Sequence, residues 1–381
     1  MTVQITVRQF WLVTLAAFAP GSVLRAQTPS ALPVEIRIAA HPSAFRGSDA
    51  MSHLAYEAAL TNVDRRGRKL TLTRIEVFDA SGAGVPLGSF SGVELADMLL
   101  RPGFSGPGAD ARVIGAGMEA IAWLWLTLHD SPTPGVIRHR LTFTIEGVQQ
   151  EQSVECCATA LAQQPPAILR APVRGVCWWA ANGPSNTSEH RRALMAINGR
   201  MQDGQRFAID WIRFGQDGKL ARGDGAANSD FYAYGDEVFA VADAVVADVK
   251  DGIPENKPGS LAVSIDLGTI AGDYIVLDLG RGLYAGYAHL QPGSLRVKKG
   301  DRVHSGDVLA LLGNSGNSDA PHLHFQLMDG PSILASEGVP YVLEGFTTVG
   351  TSNEEAKLQP LKPFTTHRHE LPLENVVVSW P

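Results

Sequence analysis

Two histidines separated by one residue carry the strongest chemical signal in the chain: Pro321-His322-Leu323-His324-Phe325-Gln326-Leu327. The run is strand-like, and strand side chains alternate between faces, so both imidazoles project from one face roughly 6–7 Å apart. Leu323 and Phe325 take the opposite face and can anchor the strand in a core. Such a pair can place one imidazole on a metal ion and the other beside a metal-bound water. Two further segments strengthen this reading. Tyr284-Ala285-Gly286-Tyr287-Ala288-His289-Leu290 is an aromatic strand reaching another histidine, and Phe207-Ala208-Ile209-Asp210-Trp211 sets a carboxylate among apolar neighbours. A buried carboxylate is costly unless it is paired, metal-bound or hydrogen-bonded to backbone amides, and all three remain open for Asp210. His367-Arg368-His369 is a second His-x-His pair, but its polar surroundings near Pro363 predict a solvated tail segment.

The elements that must position these residues are strands. Leu312-Gly313-Asn314-Ser315-Gly316-Asn317-Ser318 is a glycine-rich loop just before the histidine pair. Tyr234-Gly235-Asp236-Glu237-Val238 is echoed by Lys299-Gly300-Asp301-Arg302-Val303, each a tight Gly-Asp turn leading into a strand. Sharp, frequent reversals of this kind predict a small barrel-like antiparallel β-sandwich over 172–349. Upstream, Val34-Glu35-Ile36-Arg37-Ile38, Leu54–Leu60, Leu70–Val77, Ala122–Leu128 and His139–Ile145 read as strands, the clearest alternating with period two and separated by turn clusters such as Ser81-Gly82-Ala83-Gly84. They predict an immunoglobulin-like β-sandwich over 27–162. Its histidines, His41, His53, His129 and His139, are scattered and read as surface or core residues. Gln163-Gln164-Pro165-Pro166 opens a linker predicted over 163–171, and 350–381 reads as a C-terminal tail.

Asp210, the Tyr287-Ala288-His289-Leu290 strand, the Gly-Asp-x-Val turns, the Gly-Asn-Ser-Gly loop and His322-Leu323-His324-Phe325 occur here in the order found in lysostaphin-like zinc endopeptidases. The resemblance covers roughly residues 170–345. It implies an all-β chain whose second domain has the duplicated hybrid motif fold, one Zn²⁺ per chain, and peptide cross-links or stem peptides of bacterial peptidoglycan as substrate. It further implies Asp210 and His324 as zinc ligands, with His322 and His289 catalytic beside the reacting water. The family's first ligand is a histidine four residues before the aspartate, and here that position is Arg206, which stays protonated and has no lone pair to donate. His190, in Ser188-Glu189-His190-Arg191-Arg192, is the other histidine between the linker and Asp210, and a strand reversal through Asn198-Gly199 or Asp203-Gly204 could bring it to the metal as third ligand.

The 381 residues carry a formal charge of −7, which disfavours an electrostatic nucleic-acid binder, and 45% hydrophobic residues describe a globular chain of two domains. Arg8, the apolar run Phe10–Ala19 and small residues up to Ala26 read as a signal peptide over 1–26, with the mature chain starting near Gln27, periplasmic or extracellular and without a stable membrane span. Export permits disulfides, and with three cysteines Cys177 is expected to pair with Cys156 or Cys157. Two function classes stand side by side. One is an exported zinc metallopeptidase whose N-terminal domain positions it or binds a protein partner. The other is a metal-free relative that binds cell-wall peptides or activates another hydrolase, a version favoured by Arg206. A carrier hammerhead resembling lipoyl or biotin domains fits the Gly-Asp-x-Val hairpins but lacks a modifiable lysine at a hairpin tip.

Overall fold

A computed structural model describes residues 32–38, 42–82, 84–103, 110–129, 133–352 and 355–380. The expected signal segment 1–26, the expected start at Gln27 and His41 lie outside these residues. The described chain is nearly all β, as expected, with one short α-helix at Gly92–Asp97 among the described residues.

In the N-terminal half, Val34–Ile38 pairs antiparallel with Ser52–Asn62, which pairs in turn with Glu119–Leu128. Leu70–Asp79 lies between Val136–Ile145 and Pro86–Ser91 in a second sheet. Two five-stranded sheets thus share one core containing Leu54, Tyr56, Leu72, Val77, Leu124 and Phe143. Alternation explains the arrangement, because each strand sends every second apolar side chain inward. His53 and His139 belong to this framework. His53 meets Asp49 and Trp125, and His139 bonds the Tyr56 hydroxyl and the Cys157 carbonyl.

The second half is dominated by a ten-stranded sheet. From its interior to one edge it runs Leu283–Leu290, Leu323–Met328, Ile209–Arg213, Trp178–Ala181, Val376–Ser379, Phe346–Thr351 and Gln359–His367, every neighbour antiparallel. The two Gly-Asp turns enter segments that pair crosswise. Glu237–Phe239 lies against Val308–Leu311, and Ala244–Lys250 against Arg302–Val303.

Four expectations are corrected here. Residues 350–381 are not a tail: Val376–Ser379 is an interior strand of the sheet, with Val377 and Val378 fully buried. Trp380 follows it and packs edge-on to Trp211 at 5.2 Å. His367 is likewise buried rather than solvated, bonded to Glu370 at 2.6 Å and Thr348 at 3.0 Å. Nor is 163–171 a bare linker, because Ala167–Leu169 pairs in parallel with Tyr341–Leu343 and Leu169 enters the larger core. The disulfide is absent as well: Cys156, Cys157 and Cys177 are free. They stand on different cores. Cys156 packs on the N-terminal sandwich and Cys157 approaches the Ile36 carbonyl, whereas Cys177 packs with Trp179 and Phe214.

The two halves share side chains. Phe45 and Ala55 of the N-terminal half belong to the larger core of the second, and Phe45 meets Phe207 at 5.3 Å.

Candidate metal centre

Asp210 and His324 are brought together by strand register. Ile209–Arg213 and Leu323–Met328 are neighbours in which Asp210 faces His324 directly, and Ala288 faces His324 from the other side. His324 Nδ1 lies 3.0 Å from Asp210 Oδ1. His289 follows Ala288 in a left-handed conformation, φ 61°, after a register shift in the pairing of its strand. That conformation is costly for a non-glycine residue, and it re-aims the chain where His289 must leave the sheet plane. His322 precedes its strand, with Nε2 3.3 Å from Asp210 Oδ1, and its ring centroid is 4.8 Å from that of His289.

His190 reaches the same place by another route. It opens a one-turn 3₁₀ helix, His190–Arg192, and puts Nε2 3.3 Å from Asp210 Oδ2. One donor atom each from His190, Asp210 and His324 lies within 4.8 Å of the others. Arg206 points elsewhere: it is buried and donates to Glu57, Glu337 and the Gly338 carbonyl.

Each imidazole has one nitrogen already committed. His190 Nδ1 donates to the Asn182 carbonyl at 2.9 Å, His289 Nδ1 to the Ser315 carbonyl at 2.8 Å, and His322 Nδ1 to the Ala320 carbonyl at 2.9 Å. A carbonyl can only accept, so those nitrogens carry the protons and the neutral rings keep bare Nε2 atoms. His324 is turned the other way. The Gln326 amide donates to the Ile333 carbonyl, which leaves its Oε1 to take the His324 Nε2 proton at 2.7 Å and Nδ1 bare toward Asp210. Two bare ring nitrogens and a carboxylate therefore converge with no proton to share between them. Such a donor set is repulsive until a cation or a proton enters it, and two imidazoles plus one carboxylate suit zinc.

The electrostatics agree with a site short of positive charge. Burial alone would raise the Asp210 carboxyl, yet His190 and His322 hold it well below the usual carboxylate range. Burial lowers His190 and His322, and the Asp210 charge outweighs it in both, so both are raised. Burial lowers His324 and depresses His289 far more, with His322 and His324 adding to the effect on His289.

The cluster lies in a cleft of about 510 Å³ walled by Leu194, Met195, Ile270, Ile333 and Leu334 among others. Asn317 and Ser318, at the end of the loop Leu312–Ser318, also line it. Gly316 there has φ 75°, and a Cβ would sit 2.2 Å from the Gly272 nitrogen, so no larger residue fits. Sequence reasoning missed Asn182, whose side chain also donates to Asp210 Oδ2 at 2.9 Å, and Gln326. Nothing in the sequence marks Asn182. Gln326 carried a signal, since His322, His324 and Gln326 alternate along one strand face.

The comparisons with known proteins give a local match. Residues 229–334 match Peptidase family M23. The matched segment contains His289, His322 and His324, while His190 and Asp210 precede it. Endolysin 2638A of Staphylococcus phage 2638A is 35% identical over 86 residues, 22% of this chain and 18% of the relative. Peptidoglycan DD-endopeptidase ShyA of Vibrio cholerae serotype O1 is 40% identical over 58 residues, 15% of this chain and 13% of the relative. The chain therefore spans less than a fifth of either curated relative. The solved catalytic domain of lysostaphin from Staphylococcus simulans aligns at 22% identity over 43% of this chain and 88% of that one, with a TM-score of 0.23, too low to support any inference.

Proposed function

We propose that the protein is an exported zinc metalloendopeptidase, periplasmic or extracellular, that hydrolyses peptide bonds in bacterial peptidoglycan. One observation carries the reading: the bare His190 Nε2, the Asp210 carboxylate and the bare His324 Nδ1 converge, and the free nitrogens of His289 and His322 flank them. The M23 match and the two cell-wall relatives support the substrate class. His190, Asp210 and His324 would hold the ion, with one position left for water. Zinc held there would supply Lewis acidity, lowering the pKa of a bound water to about 7 and polarising a scissile carbonyl.

This chain's own residues do the rest. Asn182 and Gln326 fix the orientation of Asp210 and His324, so the donors are set before the ion arrives. His289 and His322 present Nε2 to the cleft because Ser315 and Ala320 hold their Nδ1 protons. One of the two accepts the proton of the attacking water at its bare Nε2 and returns it to the leaving amine, while the other, once protonated to the imidazolium, donates from Nε2 to the developing oxyanion. Apolar walls at Ile333 and Leu334 reduce water around the reacting carbonyl.

Metal analysis of the purified protein, joined to a peptidoglycan digestion assay, tests this reading. About one zinc per chain is expected. His289→Ala and His322→Ala should keep the zinc and lose hydrolysis, whereas Asp210→Ala and His324→Ala should lose both. A wild-type chain that binds no zinc would favour the metal-free binding or activating protein instead.

A further inference from the structure

His190 differs from the other two donors in what holds it. Asp210 and His324 are fixed by the register of adjacent strands, but between Ala181 and Ile209 the chain leaves the ten-stranded sheet. The turn His190–Arg192 lies in that excursion. Its two arginines reach into the N-terminal half, while also bonding Asp203 and the Asn186 carbonyl of their own half. Arg191 is fully buried and donates to the Glu57 carboxylate, to Asp203 at 3.0 Å and to the Tyr56 carbonyl at 3.0 Å. Arg192 stacks on the Trp123 ring at 4.3 Å and donates to the Asp97 carbonyl at 3.1 Å. Asn186, just upstream, donates to the Trp123 carbonyl at 3.0 Å.

Glu57 also receives Arg206, at 2.6 Å and 3.0 Å, from the segment that leads into the Asp210 strand. One carboxylate of the N-terminal sandwich is thus clamped between the arginine next to His190 and the arginine four residues before Asp210. Resting on the zinc reading above, we infer that the N-terminal sandwich is a working part of the metal centre, with Glu57 as the positioning residue that seats the His190 turn. Glu57 touches neither metal nor substrate. It fixes the backbone of the turn from which His190 reaches in, and Asn182 then sets the ring.

The test uses the full chain and zinc itself, its affinity read by competition with a chromogenic chelator, and the visible absorption of the Co²⁺-loaded protein as a report of ligand geometry. Glu57→Gln should weaken zinc binding about 10- to 100-fold, the range found when partners behind a ligand are removed. It should also change the Co²⁺ spectrum. Because the effect runs through His190, the double variant Glu57→Gln/His190→Ala should bind zinc no more weakly than His190→Ala alone. Zinc affinity in Glu57→Gln equal to wild type would overturn the proposal, as would losses that multiply in the double variant. If Glu57→Gln does not fold, Arg192→Ala decides in the same way: a several-fold loss absent from the His190→Ala background supports the proposal, and no loss overturns it. A wild-type chain without zinc would overturn the reading beneath it, a result distinct from a zinc-replete Glu57→Gln.

Discussion

Glu57 and Asp203 sit against the same two guanidiniums and meet opposite fates. Burial would raise both carboxyls. Glu57 is bonded by Arg191 and by both arms of Arg206, and these charges take it down to about 2. Asp203, fully buried, accepts from Arg191 at 3.0 Å and stands 3.7 Å from Arg206, and with Glu57 and Glu337 opposing it, it is pushed up to about 7. The two signs differ in consequence. Glu57 contributes stability that is present above the unfolded value and lost as pH falls toward 2. Asp203 remains protonated in the folded chain while its unfolded counterpart ionises near pH 4, so its contribution is lost as pH rises from about 4 to about 7 and is constant above. Asp203→Asn lacks that titration. Urea unfolding of both chains from pH 4 to pH 8 should therefore show the wild type losing stability relative to the variant across that interval, because titrations common to both cancel in the difference. A difference independent of pH would contradict the assignment.

At the scale of elements, the C-terminal strand is where sequence and structure part most. Val34–Ile38 and Leu70–Val77 were legible because one face of each meets a core and the other does not, which writes the period of two into the sequence. The Asp210, His289 and His322–His324 strands were legible because polar residues with chemistry interrupt apolar runs. Val376–Ser379 has no such mark. It is short, follows proline-bearing polar residues, and is inserted between two strands nearly 200 and some 30 residues away in sequence, a pairing that no local pattern encodes. The seating of His190 was illegible for the same reason: the sequence offers the histidine but not Glu57, which lies 134 residues from Arg191. The strand has a mechanical consequence for the site. Trp380 at its end packs on Trp211, the residue after Asp210. Trp380→Ala should cost about 3–5 kcal/mol, as buried Trp truncations do, measured by denaturant unfolding. A loss under about 1 kcal/mol would show that the neighbouring strands collapse into the space and that the edge-on contact contributes little.

For the whole molecule the question is whether the two halves are separable bodies joined by residues 163–166 or a single folding unit. The strand Ser52–Asn62 answers it. From His53 to Glu57 it is buried without interruption, because successive residues face opposite ways into two different environments. Leu54, Tyr56, Ala58 and Leu60 fill the N-terminal core, while Ala55 joins the larger core and Glu57 enters the arginine clamp. Phe45 on Phe207 and Arg46 bonded to Glu370 at 2.9 Å extend the junction to the C-terminal strands. Pulling the halves apart would strand Arg191 and Arg206 without Glu57, and breaking a buried ion pair by removing one partner typically costs about 3–5 kcal/mol. It would also expose the apolar contacts around Phe45 and Phe207. Independent melting of either half is therefore unfavourable. Scanning calorimetry of the full chain should show one transition whose van't Hoff enthalpy matches the calorimetric value, the signature of a single cooperative unit. Limited proteolysis at the exposed Gln163-Gln164 should leave two fragments that still co-elute on size exclusion at neutral pH. Two resolved transitions, or fragments that separate without denaturant, would mean that the clamp at Glu57 is an incidental contact rather than the joint that makes one body of the chain.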